Sequence, residues 1–452
     1  MKSYLYKKGN QLVLKNYITI KKEKLNRNYF TLIIILFVGF KNSKAQSLGR
    51  IGNAFDITTT SSAGTVLMGG GSDVDAAFTW MINKSGGGDF VIIRATGGSG
   101  YNSYIYGLGV ANSVETFLVN STTLANDSSI VQAIRKAEAV FFAGGNQNDY
   151  ITYYNGTALG TIIDYLANEK HVPIGGTSAG MAIQGYIYYD GVTNVLSQEA
   201  LQNPYASATG IHYNDFLHNP FLTNTICETH FNAKGGTTSN GITGRQGRLM
   251  SFLARMIKDQ SMADVKAIAC DEKTAVCIDE NGIAMVVGIN KAYFLRQWCA
   301  IPETCITGTP LDWTNGTKVY IINGPGSYTA APSISRSINL NDWVSVQGGF
   351  YNYWTVDGGL LTIAQTTATP NLCTTAIATY IFNGNGNWSN PFNWLNSAIP
   401  PSNVTTSFDI IIDPIIGGEC FLNITSQKIS HGAKIIVRPG KNFRVAGNLS
   451  IQ

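Results

Sequence analysis

The sequence predicts an α/β fold, a parallel sheet with helices on both faces, followed by a small all-β module. Three observations predict it. Short runs such as Gly64–Met68, Phe90–Arg94 and Ala139–Phe142 are apolar on both faces, as strands buried under two layers must be. Stretches suited to helices alternate with them, at 73–82, 126–138 and 159–168. Glycine clusters at Gly69–Gly71, Gly144–Gly145 and Gly175–Gly176 follow or end the apolar runs, where open α/β sheets gather their ligand-binding loops.

The first 45 residues are read as separate from this fold. Residues 1–29 carry eight Lys and Arg and one Glu, Tyr29–Phe40 is apolar, and Ser43-Lys44-Ala45 offers small residues for cleavage. That order predicts a signal peptide, with export to the periplasm, cell surface or medium and a mature chain starting near Gln46. The apolar run is short for a membrane span, so a retained anchor is the weaker alternative. Export also changes the charge. The whole chain is +4, but residues 1–45 hold ten Lys and Arg against one Glu, which leaves the remainder at −5. The basic balance therefore gives no reason to expect nucleic acid as a partner.

Cysteine usage gives little more. The seven cysteines are odd in number and contain no C-x-x-C pair, and no histidine cluster has metal-ligand spacing. Cys299 and Cys305 are close enough to close a small disulfide loop, while Cys270 and Cys277 in apolar runs read as buried thiols.

The stretch that carries chemistry is His171 to Gly185, read as strand, tight turn and helix start. Gly176-Thr177-Ser178-Ala179-Gly180 fits G-x-S-x-G, in which glycines allow a sharp turn that lifts the serine hydroxyl at the strand tip. Such a pentapeptide is weak alone, since glycine-rich turns also bind phosphate or merely turn. Partners are available further on. Strand-like sequence from Thr223 ends near Glu228-Thr229-His230, and Arg245 and Arg248 stand at a helix start, where acidic residues are usual. That reversal suggests an anionic ligand, with solvated surface arginines as the alternative. Asp271 and Glu272 lie between apolar runs, and either would be costly to bury unpaired. Of the histidines, His171, His212, His218, His230 and His431, the first precedes the serine strand at its far end and is a poor base. Gln147 follows the glycine pair at another strand tip and can face a ligand.

Together Gly-Gly-Thr-Ser178-Ala-Gly, His230-Phe with Arg245-x-x-Arg248-Leu, Asp271-Glu272-x-Thr-Ala and Gly144-Gly-Asn-Gln147 resemble the cyanophycinase and dipeptidase E group of serine peptidases. The likeness covers residues 64–288. It implies a fold like that of class I glutamine amidotransferases, with Ser178 as nucleophile, His230 as base and Glu272 as third member of a triad. It also implies substrate contacts from Gln147, Arg245 and Arg248, and hydrolysis of aspartyl or β-aspartyl dipeptides. The order Ser, His, acid differs from that of the α/β-hydrolases. In cyanophycinases the histidine follows Asp-Gln and three arginines come soon after, whereas here it follows Glu228-Thr229, and residues 232–244 precede only two. Glu228 was available to meet a cationic group of the substrate. Covalent acyl transfer of this kind needs no cofactor, and its oxyanion would meet the N–H groups of Ala179 and Gly145. The partner expected is a short acidic or β-aspartyl peptide, with no nucleic acid, no stable membrane span and room for a homodimer. A catalytically inactive, surface-binding or adhesive protein is the alternative.

Beyond residue 288, Phe294–Pro302 and Lys318–Asn323 read as further strands of the first domain, taken to span 46–365. Residues 366–378 read as a linker, and 379–452 as the all-β module, with strands at Phe408–Ile412, Lys434–Val437 and Phe443–Val445. Trp388 and Trp394 suit core packing better than sugar stacking.

Overall fold

A computed structural model describes residues 2–8, 11–17, 47–260, 262, 264–297, 301–366, 378–395, 399–404, 408–430 and 433–451. The chain divides into two units, Met1–Lys44 and Ala45–Gln452. In the first, Lys2–Lys8 and Gln11–Tyr17 pair as an antiparallel hairpin. The apolar run expected to be a signal sequence lies outside the described residues. Among those described, no helix is long and apolar enough to cross a membrane.

The second unit begins its central sheet with β1 (Gly64–Met68). It continues through α1 (Asp75–Lys84), β2 (Asp89–Arg94), α2 (Gly100–Tyr106) and β3 (Ser113–Leu118). Then come α3 (Ser128–Lys136), β4 (Ala139–Phe142), α4 (Gln147–Tyr154), α5 (Ala158–Asn168), β5 (Pro173–Thr177) and α6 (Ala179–Ala182). β1, β5, β4, β2 and β3 lie side by side in that order and all run parallel. Their residues are almost wholly buried, which is why the sequence shows continuous apolar runs rather than alternation. Asp127 caps α3 by accepting from the N–H groups of Ser129 and Ile130. The helix expected at 73–82 starts two residues later, at Asp75. Val74 takes the cap position and no side chain caps the helix there.

The parallel core is extended by antiparallel strands into a ten-stranded sheet, with Ser47–Gly52 beyond β3 and Thr274–Asp279 beside β1. One face is covered by α1 and α2, through Phe78, Met81 and Ile105 against Ile92, Phe141 and Cys277. The opposite face is divided. Helices α3 and α5 cover its β2–β4 side. A second sheet covers the rest, with Ile268, Cys270, Phe294 and Ile322 packed on Leu67, Val276 and Val286. This eight-stranded sheet contains β6 (Thr225–Glu228) and β7 (Val265–Cys270), paired in parallel, and runs out to Gly349–Asp357 and Leu360–Thr366. Helix α7 (Gln246–Gln260) covers its outer face. Strands expected at 294–302 and 318–323 occur as Lys291–Gln297 and Trp313–Asn323, both in this second sheet.

The C-terminal strands form three short parallel sheets. Ala378–Phe382, Phe408–Ile412 and Lys434–Val437 stack in one, and the other two repeat the pattern with strands between them in sequence. The chain therefore winds through three faces per turn, as a parallel β-solenoid. Trp388 and Trp394 lie in its core with ring centroids 4.6 Å apart. The stretch read as a linker lies outside the described residues except at its ends. Cys270, Cys277 and Cys420 are buried free thiols, and so is Cys305. The loop expected between Cys299 and Cys305 involves Cys299, which lies outside the described residues.

Candidate active site

Ser178 occupies the turn from β5 into α6 with φ 54° and ψ −115°, a conformation that a residue with a side chain rarely adopts. Two glycines make the turn feasible. A Cβ on Gly176 would lie 2.2 Å from the Gly180 carbonyl oxygen, and one on Gly180 would lie 2.2 Å from that of Phe142. The turn is thus pressed against β4, and the serine hydroxyl is pushed clear of the sheet edge. The Ser178 N–H donates to the Met68 carbonyl of β1 and fixes this placement.

His230 lies two residues beyond β6, also at positive φ (47°), with its N–H donating to the Gly69 carbonyl at 2.7 Å. Its Nε2 is 2.7 Å from Ser178 Oγ, and its Nδ1 is 2.6 Å from Glu272 Oε1. The three side chains that the sequence separates by 52 and 42 residues thus form one hydrogen-bonded chain. Glu272 is held in turn, because its N–H donates to Asn232 Oδ1 and its carbonyl accepts from Asn290 Nδ2. Burial lowers the His230 pKa below its ordinary 6.5; Arg245 and Lys234 act in the same direction, against Glu272. The imidazole is therefore neutral at neutral pH, the state that can accept a proton. Asp271, the other candidate acid, points elsewhere. Its Oδ2 accepts from the Lys291 N–H, its Oδ1 has no partner among the described residues, and burial pushes its pKa up to about 7.

The glycines after β1 do more than turn. A Cβ on Gly70 would stand 2.5 Å from His230 Cε1, and one on Gly71 would stand 3.0 Å from Glu272 Cβ. Only a bare backbone fits over this histidine and its carboxylate. At the neighbouring tip Gly144 approaches Ser178, with 3.6 Å from its missing Cβ to that of the serine. Neither the Ala179 nor the Gly145 N–H donates to a backbone acceptor in the surrounding turns.

Two of the residues read as substrate contacts are engaged with each other. Arg248 is 2% exposed, and its Nε and Nη2 donate to the two oxygens of Glu228 at 2.9 and 2.7 Å. Its Nη1 reaches Asn194 Oδ1 and the Val195 carbonyl. Glu228 is likewise buried, and although burial alone would raise its pKa, Arg248 and Arg245 outweigh this and hold it below the usual range. This corrects the expectation for both: Glu228 has no free oxygen for a substrate cation, and Arg248 has no accessible edge for a carboxylate. Arg245 differs. Its Nη1 donates to Glu228, the Thr229 carbonyl and Thr229 Oγ1, but its buried Nε has no partner among the described residues. Gln147 is the first residue of α4, and its Nε2 donates to the Tyr189 carbonyl at 2.6 Å. The other histidines stand apart: His212 beside Asp190 and Asp215, and His218 against Asp164.

Asn232 and Thr229 were not singled out in the sequence. Their positions flank His230 closely, which was the available signal. Among the described residues no group of His, Cys, Asp and Glu is placed to hold a metal ion.

No family model and no curated protein matches the chain. Solved structures that resemble it include a peptidase from an acI-B1 Actinobacterium, with TM-score 0.38 and 14% identity over 62% of this chain and 98% of that one. A candidate peptidase E protein from Listeria monocytogenes EGD-e has TM-score 0.32 and 14% identity over 50% and 99%. At such distances the chemistry has to be argued from the side chains themselves.

Proposed function

We propose that the protein is a serine-type peptidase acting through Ser178, His230 and Glu272 on short aspartyl or β-aspartyl peptides. The observation that carries the reading is the continuous chain from Ser178 Oγ through both imidazole nitrogens to Glu272 Oε1, with links of 2.7 and 2.6 Å. In the reaction, His230 Nε2 takes the hydroxyl proton as Ser178 Oγ attacks the amide carbonyl. The C–N bond then breaks, the imidazolium returns its proton to the leaving amine, and water resolves the ester by the same steps. Glu272 keeps the Nδ1 proton in place and balances the imidazolium. The N–H groups of Ala179 and Gly145 serve the oxyanion, each worth roughly 10²–10³ in rate. The acidic preference follows from the resemblance, which gives Arg245 and Gln147 the role of substrate contacts.

The test pairs labelling with turnover. A fluorophosphonate should label Ser178, and Ser178→Ala should lose label and hydrolysis of β-aspartyl-arginine together, by roughly 10⁴-fold or more, with an unchanged melting temperature. An unlabelled Ser178 with no turnover would leave the inactive, surface-binding reading in its place, and turnover unaffected by the substitution would remove Ser178 as the nucleophile.

A further inference from the structure

The turn that follows His230 carries a cation with no partner. The His230 carbonyl accepts from the N–H groups of Ala233 and Lys234, at 3.2 and 3.1 Å, so Lys234 lies one closed turn past the histidine. Such a turn separates the two α-carbons by about 6 Å. It is tied to the acid of the triad as well, because Asn232 Oδ1 accepts from the Glu272 N–H. Just beyond it the Gly235 carbonyl accepts from the Ser197 N–H, and a Cβ on Gly235 would stand 2.8 Å from Arg245 Cγ. The backbone of Lys234 is thus held between His230 and Arg245.

Its side chain is exposed, and among the described residues no acid pairs with its ammonium. The neighbouring cations differ. Arg245 and Arg248 both donate to Glu228. Lys273, next to Glu272, is exposed too, but its charge does not act on the base: burial lowers the His230 pKa, and the cations that add to this are Arg245 and Lys234. Lys234 therefore puts an unpaired positive charge beside the imidazole.

What that charge meets follows from the chemistry of the base. In acyl transfer His230 Nε2 returns its proton to the leaving amine, so that nitrogen has to stand at the imidazole. In a dipeptide the leaving residue carries a free carboxylate two bonds from the same nitrogen. In a longer peptide that group is a neutral amide. We propose that Lys234 is a specificity-determining residue that receives the free carboxylate of the leaving residue, so that the enzyme selects peptides ending one residue past the bond it cuts. This rests on the serine-peptidase reading above. Lysine suits the task, since its flexible four-carbon stem carries a point charge from an exposed turn to the carboxylate.

The comparison that isolates the carboxylate is β-aspartyl-arginine against β-aspartyl-argininamide, which differs in that group alone. The unmodified protein should favour the first by about fivefold in kcat/KM, the upper end of what a largely exposed ion pair supplies. Lys234→Gln should bring the two peptides together, mainly by raising KM for the free acid. Lys234→Arg should keep the preference, and so should Lys273→Gln, which removes a nearby charge that does not act on His230. Equal loss on both peptides in Lys234→Gln would mean that the lysine acts only through the histidine, and would overturn the inference. Loss of the preference in Lys273→Gln would overturn it too, since the general field of the surface would then be the cause. Equal rates on the two peptides in the unmodified protein, with Ser178 labelled by the fluorophosphonate, would remove this inference alone. Cleavage of neither peptide with Ser178 labelled would remove the aspartyl-peptide reading along with it, and with Ser178 unlabelled the peptidase reading as well.

Discussion

The end of β6 holds two charged clusters separated by Thr229, and they are built in opposite ways. Glu228, Arg245 and Arg248 form a buried group in which both carboxylate oxygens accept and Arg248 is donating through all three guanidinium nitrogens. His230 and Glu272 form a pair open on one side to Ser178, framed by backbone at positive φ and by glycines that leave no cover but main chain. The first arrangement engages both Glu228 oxygens and all three Arg248 nitrogens within the protein. The second leaves His230 Nε2 turned to the serine hydroxyl, with an imidazole whose pKa burial lowers. Arginine at a helix start therefore says little about function until its partners are known.

Breaking the open cluster should have the largest effect. Glu272→Gln keeps the shape but loses the charge that fixes the Nδ1 proton, so kcat should fall by roughly 10⁴-fold with little change in melting temperature. Steady-state kinetics on β-aspartyl-arginine would measure this. A fall of less than tenfold would mean that His230 needs no acid, and the contrast between the clusters would lose its functional half.

Breaking the closed cluster should instead appear in stability. Arg248→Ala leaves Glu228 buried with Arg245 as its remaining counter-charge, a loss expected to cost about 3–5 kcal/mol in denaturant unfolding. The fraction that folds should keep most of its kcat/KM. Unchanged stability with lost selectivity for acidic peptides would return Arg248 to the substrate-contact role from which its burial removes it.

How far the sequence alone reaches follows the same division. Apolar runs located β1, β4 and β5, because strands buried on both faces leave a local signature, and the G-x-S-x-G turn at Ser178 is local as well. The residues themselves left the choice between Asp271 and Glu272 open, and only the family resemblance implied Glu272. Adjacent residues on an extended chain point to opposite sides, and which side faces His230 depends on the pairing of Thr274–Asp279 with β1. Nor was the fate of Arg248 legible, since its partner Glu228 lies 20 residues away and meets it only once α7 packs on the second sheet. Asp73 read as a helix start, and its contact with Tyr101 is likewise tertiary.

A smaller effect concerns the base. Since burial holds the His230 pKa below 6.5, with Arg245 and Lys234 contributing, the acid limb of kcat/KM should have its midpoint below that value. Activity is present above the midpoint and is lost as the imidazole protonates below it. A midpoint above 6.5 would mean that Glu272 outweighs burial at this histidine.

The smallest expected effect separates Asp271 from Glu272. The folded-state pKa of Asp271 is raised to about 7 from 3.8, so between those values the folded chain holds a proton that the unfolded chain has released. Unfolding then releases a proton, and by linkage the contribution of Asp271 to stability falls as pH rises from about 4 to about 7 and is flat beyond. Asp271→Asn removes the titration while keeping an acceptor for the Lys291 N–H. Its melting temperature relative to the unmodified protein should therefore improve progressively from pH 4 to pH 7, by a few degrees in all, with kcat nearly unchanged. A pH-independent difference would show that Asp271 finds a counter-charge in solution, and a large loss of kcat would transfer to it the orienting role argued for Glu272.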